Sequence, residues 1–242
     1  MAIARAKIVL YYDVISPYSY MGFKLFNRYR QHWTGVDISF KPMLLGGVMN
    51  IVKNQPLADF PAKKSHMIAD LDRTSAMSGV PFNFPKEFPV NTVLPMRVLT
   101  ALQMHEASDM YEQCIEKEAY FVHDRNISKP DVIHATLAPL FSSFSSTADA
   151  ASAKVKSYLD LAVHLDIKQR FKEYTDEAVA KGIFGAPTFI INKAGDDNEY
   201  LFFGSDRFEN IAVFLDQPYP GLRSLATSSG ASVSISDKNA RL

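Results

Sequence analysis

The chain has 242 residues, 47% of them hydrophobic and 21% charged, which suits a globular protein with enough apolar mass for one large core or two modest ones. Lys plus Arg and Asp plus Glu both number 26, giving a formal net charge of zero, so neither nucleic acid nor an anionic lipid surface is expected as a partner. One cysteine, Cys114, excludes an intramolecular disulfide and a catalytic dithiol, and no stretch approaches the roughly 18 apolar residues of a membrane span.

Lys7 to Tyr12 is a short apolar run of β-branched and aromatic residues, the pattern of a strand buried on both faces. With Arg5-Ala6-Lys7 before it, the run has the outline of a signal peptide, but it is too short and meets Asp13 at once. Pro17 suits the first position of a helix, and Tyr18, Met21, Gly22, Leu25, Phe26, Tyr29 and Trp33 recur at three- and four-residue steps behind it. Val36, Ile38 and Phe40 then alternate with polar residues up to Pro42, so a second strand follows. Strand, helix, strand of these lengths predicts a right-handed crossover unit.

Gly46-Gly47 opens what reads as an irregular stretch reaching Pro61, after which the period is helical for more than a hundred residues. Met67, Ile68, Leu71 and Met77 make one stripe. Pro95 starts a helix with Met96, Leu99 and Leu102, and Met110, Tyr111, Cys114, Ile115 and Val122 mark the next. Ser128 and Asp131 read as a capping box before Val132, Ile133, Thr136, Leu137 and Leu140. Helices around Val155 to Val163 and Phe171 to Val179 end at Gly182. Thr188 to Ile191 and Tyr200 to Phe203 flank the turn-rich Lys193 to Asn198 as a hairpin, and Asp206 with Glu209 suits a capping box for a last helix through Phe208, Ile211, Ala212, Phe214 and Leu215. Beyond Pro218 large apolar residues are sparse and serine is frequent, which predicts loose packing or disorder.

Ser16-Pro17-Tyr18-Ser19, directly behind the first strand, is similar to a thioredoxin-type C-x-x-C turn with serine at both cysteine positions. Such a turn presents unpaired backbone N–H groups and a helix dipole to a sulfur anion, so any sulfur chemistry here needs a thiol carried by a ligand. Tyr12-Asp13-Val14-Ile15-Ser16-Pro17-Tyr18-Ser19, Phe184-Gly185-Ala186-Pro187 and Phe203-Gly204-Ser205-Asp206-Arg207 together resemble kappa-class glutathione transferases. The resemblance runs on through Phe40-Lys41-Pro42, Asn54-Gln55-Pro56 and Asn239-Ala240-Arg241-Leu242. Bacterial 2-hydroxychromene-2-carboxylate isomerases and DsbA-type proteins look like cousins. The fold expected is α/β: a thioredoxin-like domain over residues 1–60 and 183–218, an inserted all-helical domain over 61–182, and a tail over 219–242.

The resemblance implies conjugation of glutathione to small electrophiles, with attack on a peroxide as a second use. It also implies that Ser16 hydrogen-bonds the glutathione sulfur, whereas the residues alone also allow a plain helix cap. A cis Ala186-Pro187 bond is implied, leaving the Ala186 backbone to pair with the cysteinyl unit; an ordinary loop proline is the alternative. Ser205 and Asp206 suit the γ-glutamyl end, and Asp206 also suits a cap. Asn54 maps onto a glutathione contact, though loop asparagines are commonly turn formers, and Pro17 and Tyr18 flank the site, Tyr18 also fitting the helix's apolar stripe. Met43, Met49, Met67 and Met77 read as helix packing or an apolar acceptor pocket, Cys114 as a buried small hydrophobe, and Ser19 as structural.

The six histidines lack H-E-x-x-H or paired ligand spacing, so no metal is expected, and glutathione serves as co-substrate with no further cofactor. Two other readings stand beside conjugation: glutathione-dependent isomerisation of an aromatic catabolite, and a non-catalytic thioredoxin-like protein that binds glutathione or a partner. The resemblance further implies a homodimer. Ala240-Arg241-Leu242 is a variant of the Ser-Lys-Leu peroxisomal address, and family ties to mitochondria make that compartment, or the cytosol, the alternative.

Overall fold

The computed structural model describes residues 4–106, 108–115 and 119–222. The serine-rich stretch from Ser224 and the Ala240-Arg241-Leu242 terminus lie outside the described residues. Strand β1 (Ala6–Tyr12) leads through a short turn into helix α1 (Pro17–Tyr29), and β2 (Val36–Pro42) returns parallel to β1, with Ile8 opposite Ile38 and Leu10 opposite Phe40. Far along the chain, β3 (Thr188–Asn192) pairs antiparallel with the other edge of β1, and β4 (Tyr200–Phe203) closes a hairpin on it. The sheet order is β2-β1-β3-β4, so the central pair joins segments almost 180 residues apart.

Strand alternation divides the apolar side chains between the two faces. Ile8, Leu10, Tyr12, Phe189 and Ile191 join α1 in one cluster, while Tyr11 and Ile190 face Met43, Val48, Ala178 and Ile183 in another. Phe26 of α1 is fully buried and packs its ring against Trp33, Phe40, Phe189 and Phe208, so one side chain ties both halves of the sheet unit together. On the second face Glu177 accepts from Tyr11 Oη at 2.8 Å and pairs with Lys41 at 2.7 Å.

Helices α2 (Leu45–Val52), α3 (Pro61–Ser78), α4 (Val93–His105), α5 (Ser108–Ile115), α6 (Pro130–Ser142), α7 (Ala148–Leu161) and α8 (Leu165–Ala180) lie between β2 and β3, and α9 (Phe208–Phe214) follows β4. The apolar cluster on the α1 face runs on through Met96 and Leu99 of α4 into Leu137 and Phe141 of α6 and Val155 of α7. Among the described residues no helix is long and apolar enough to cross a membrane.

Several boundaries differ from the sequence reading, each for a tertiary reason. The Gly46-Gly47 stretch is the helix α2, whose Leu45 N–H is capped by the carboxylate of Asp13 at 3.0 Å, a partner distant in sequence. Trp33 is not on α1: the chain passes through a 3-10 turn, Arg30–His32, and Trp33 Nε1 donates to the Pro218 carbonyl at 3.0 Å. Tyr219 stacks on Tyr29 with ring centroids 5.1 Å apart, so the expected loose packing does not begin at Pro218. Ser128 makes no capping box; it donates to Asn126, and α6 opens at Pro130 behind Lys129. Helix α4 begins at Val93, two residues before Pro95, and Val122 lies in the turn after α5. Met43 and Met67 are buried and Met49 is half-buried, as packing predicts, but Met77 is exposed.

Candidate active site at the start of helix α1

β1 delivers Asp13 to a turn in which the Ser16 N–H donates to the Asp13 carbonyl at 3.0 Å. Ser16 is the N-cap of α1, extended at φ −80° and ψ 117°, and Pro17 occupies the first helical position, where its missing N–H costs nothing. The Ser16 Oγ accepts the Ser19 N–H at 3.1 Å and donates to the Ala186 carbonyl at 3.0 Å. Capping therefore coexists with a direct link to the proline loop, and both uses converge on one buried hydroxyl.

The Ala186–Pro187 peptide is cis, and Ala186 is buried against the start of α1. Two glycines allow the close approach. A Cβ on Gly22 would stand 2.9 Å from Pro187 Cγ and 3.4 Å from Ser205 Cβ, so only hydrogen at this position lets α1 lie against both. A Cβ on Gly185 would stand 2.6 Å from the ring of Phe203, which also packs on Phe184 at 4.6 Å. The Gly204 N–H donates to the Pro187 carbonyl at 3.0 Å, strapping the turn that carries Ser205 and Asp206 to the proline loop.

Asn54 arrives from another direction. Lys53 in the left-handed region, at φ 60°, ends α2, and the Asn54 Nδ2 then donates to the Phe184 carbonyl at 2.8 Å while its Oδ1 accepts the Gln55 N–H at 2.9 Å. Turn former and loop anchor are thus one residue. Asp206 is exposed and pairs with Arg207 at 3.1 Å; Arg207 caps α9 without a side-chain bond, so the Asp206 and Glu209 capping box is not formed. Tyr18 is half-buried: its ring packs against the main apolar cluster, as the helix's apolar stripe predicts, and its hydroxyl donates to Asp70 of α3 at 3.1 Å. Burial pushes its phenol up, and the charges of Asp70 and Asp206 push it the same way.

Three residues escaped the sequence reading. Asp70 sits in a helical stripe where nothing marks it, and Gly22 looks like an ordinary member of an apolar face. Asp13 carried a signal that could have been read, a charge abutting a buried strand. It is fully buried, and its carboxylate accepts from the Ile15 N–H at 3.1 Å, the Leu45 N–H at 3.0 Å and the Thr92 hydroxyl at 3.2 Å. Desolvation pushes its pKa up to about 6, against the opposing pull of those three donors. Among the described residues no three His, Cys, Asp or Glu side chains gather as they would to hold a metal ion.

A family model described as DSBA-like thioredoxin domain matches residues 7–216. The chain is 31% identical over 229 residues to glutathione S-transferase kappa 1 of Rattus norvegicus, covering 91% of this chain and 96% of that one. It is 30% identical over 226 residues to glutathione S-transferase kappa 2 of Caenorhabditis elegans, covering 90% and 95%. Among solved structures it is similar to a 2-hydroxychromene-2-carboxylate isomerase, with a TM-score of 0.64 at 18% identity over 93% of this chain and 99% of that one.

Proposed function

The chain belongs to the DSBA-like thioredoxin domain family and to the kappa glutathione S-transferases, and we propose that it conjugates glutathione to small electrophiles by activating the glutathione thiol at Ser16. The observation that carries this reading is the Ser16 hydroxyl, held between the first turn of α1 and the Ala186 carbonyl of the proline loop. A glutathione thiol bound there meets the N-terminus of α1, and rotation of the Ser16 O–H away from Ala186 turns a donor toward the sulfur.

A free thiol titrates near ~8.5, so a pKa about two units lower needs ~2.7 kcal/mol. A helix terminus typically supplies ~0.3 to 1 kcal/mol, and a hydrogen bond to a charged group ~1.5 to 3 kcal/mol. Dipole and hydroxyl together reach the requirement where the dipole alone falls short. The thiol proton passes to solvent, the thiolate attacks the electrophilic carbon, a C–S bond forms, and with a chloroarene the C–Cl bond breaks and chloride leaves. The Ala186 backbone positions the cysteinyl unit. Ser205 and Asp206 take the γ-glutamyl carboxylate and ammonium, and Asn54 steadies the loop between them. Asp70 adds a second carboxylate on the ammonium side.

The test is turnover of 1-chloro-2,4-dinitrobenzene with glutathione, followed by the absorbance of the conjugate. A rate above the uncatalysed one is expected; tight glutathione binding without turnover of several electrophiles would favour the non-catalytic reading.

Gly22→Ala probes the geometry. The added methyl favours the helix by about 1 kcal/mol, while overpacking against Pro187 costs about 1 to 3 kcal/mol. The balance is a net loss of about 0 to 2 kcal/mol, taken up by displacing the proline loop from α1. The expected result is a several-fold rise in KM for glutathione with a melting temperature lowered by no more than about 8 °C. An unchanged KM would show that the contact does not shape the site.

A further inference from the structure

On the side of α1 facing the helical block lies a cleft of about 80 Å³, lined by α1, α4, α5, α6 and the turn before α6. That is several times the ~10 to 15 Å³ a single water requires. Its walls are mostly hydrocarbon, among them Phe23, Val98, Leu99, Phe121 and Leu137. Neither Ser16 nor Pro187, Ser205 or Asp206 lines it. It is therefore separate from the glutathione loop, with the first turn of α1 between them.

Ser19 lines this cleft, and its hydroxyl is buried without a hydrogen-bond partner. Burying a hydroxyl unpaired is costly, so an unpaired one in an apolar wall marks a position where a ligand atom returns the lost bond. The neighbouring polar groups have partners already. Tyr12 Oη pairs with Tyr111 Oη at 2.7 Å, Tyr120 Oη donates to the Glu87 carbonyl at 2.6 Å, and the Asp13 carboxylate holds three donors. The partly exposed Val14, Tyr20, Lys24 and Thr136 mark the way in.

We propose that the cleft between α1 and the helical block is a second binding site for a compact, flat, apolar molecule bearing a hydrogen-bond acceptor, such as a nitro- or carbonyl-substituted arene, with the Ser19 hydroxyl as donor. The ring walls favour an aromatic body. The fully buried, hydrogen-bonded Asp13 argues against an anionic one. Since the Ser19 N–H also holds the Ser16 Oγ, a ligand here touches the same helical turn that carries the candidate thiol-activating hydroxyl. Ser19 thus has two uses: its backbone caps with Ser16, and its side chain serves the cleft.

The experiment titrates the full chain, methyl-labelled for NMR and without glutathione, with 1,3-dinitrobenzene, which has no halide leaving group, and with toluene, which has no acceptor. Saturable shifts centred on the methyls of Val98, Leu99 and Leu137 are expected for both. Ser19→Ala keeps the backbone N–H that caps α1, and it should weaken dinitrobenzene by about fivefold while leaving toluene unchanged. Val98→Phe, which fills the cleft, should abolish both. Absence of saturable shifts, or binding to Val98→Phe as tight as to the wild type, would overturn the site. Equal affinity of dinitrobenzene for Ser19→Ala and wild type would overturn the role of the hydroxyl. None of these results depends on transferase activity.

Discussion

Ser16→Ala is expected to slow conjugation of glutathione with a chloronitroarene at neutral pH by about 10- to 100-fold, the loss of a hydrogen bond to a charged sulfur worth ~1.5 to 3 kcal/mol. The helix N-terminus stays, so residual activity above the uncatalysed rate remains. The pH profile separates thiol activation from capping. With the thiol pKa returned toward its free value, the variant's rate should climb with pH to approach the wild type in alkaline solution. Loss of the cap alone would cost about 1 kcal/mol of stability and leave the profile in place. A variant with wild-type rates at every pH would remove Ser16 from the chemistry.

The second large effect lies one turn earlier, at Asp13. A carboxylate with an unfolded value of 3.8 and a folded value of about 6 binds its proton more tightly in the folded state. Its contribution to stability is therefore fully present below about pH 4 and is lost as pH rises through about 6, the reverse of an ion-paired acid. The difference of about two units corresponds to about 3 kcal/mol. Asp13→Asn carries no charge to titrate. Its amide oxygen can accept from only one side while its NH2 meets a donor, so the variant should be less stable than the wild type at pH 4. The gap, measured by denaturant unfolding, should then narrow by about 3 kcal/mol toward pH 7. A gap that widened with pH would show Asp13 ionised and favourably paired in the fold. In the same titration a carboxyl carbon resonance with a midpoint near 6 identifies the group directly.

The two residues differ in how far the sequence announced them. Ser16 was legible because capping chemistry is local: a serine before Pro17 behind a buried strand has few uses, and its spacing from Ser19 is that of a helical turn. The sheet was legible for a related reason, since strand alternation and the three- and four-residue steps of α1 record burial along the chain itself. Helix α2 was not legible. Gly46-Gly47 has poor helical propensity, and what caps the helix is a carboxylate from the end of β1. The capping boxes expected at Ser128 and Asp206 failed the other way: local patterns were present, but Asn126 and Arg207 took the side chains that would have closed them. Asp70 and Gly22 matter only through what the fold sets beside them, Tyr18 in one case and Pro187 with Ser205 in the other.

The sequence by itself therefore determined the order of the strands and of the helices other than α2, the cysteine-free turn at Ser16 and the three motifs that carry the family. Each depends on residues close enough along the chain to leave a period or a spacing. Tertiary structure decided how those motifs meet: the Ser16 hydroxyl on the Ala186 carbonyl, Gly22 against Pro187 and Ser205, and Asn54 on Phe184. It also decided that Ser19, which reads as structural in the sequence, leaves a hydroxyl unpaired in an apolar cleft. A hydrogen bond's direction and the depth at which a polar atom is buried are set by groups that arrive from distant segments, and the local pattern carries no record of them.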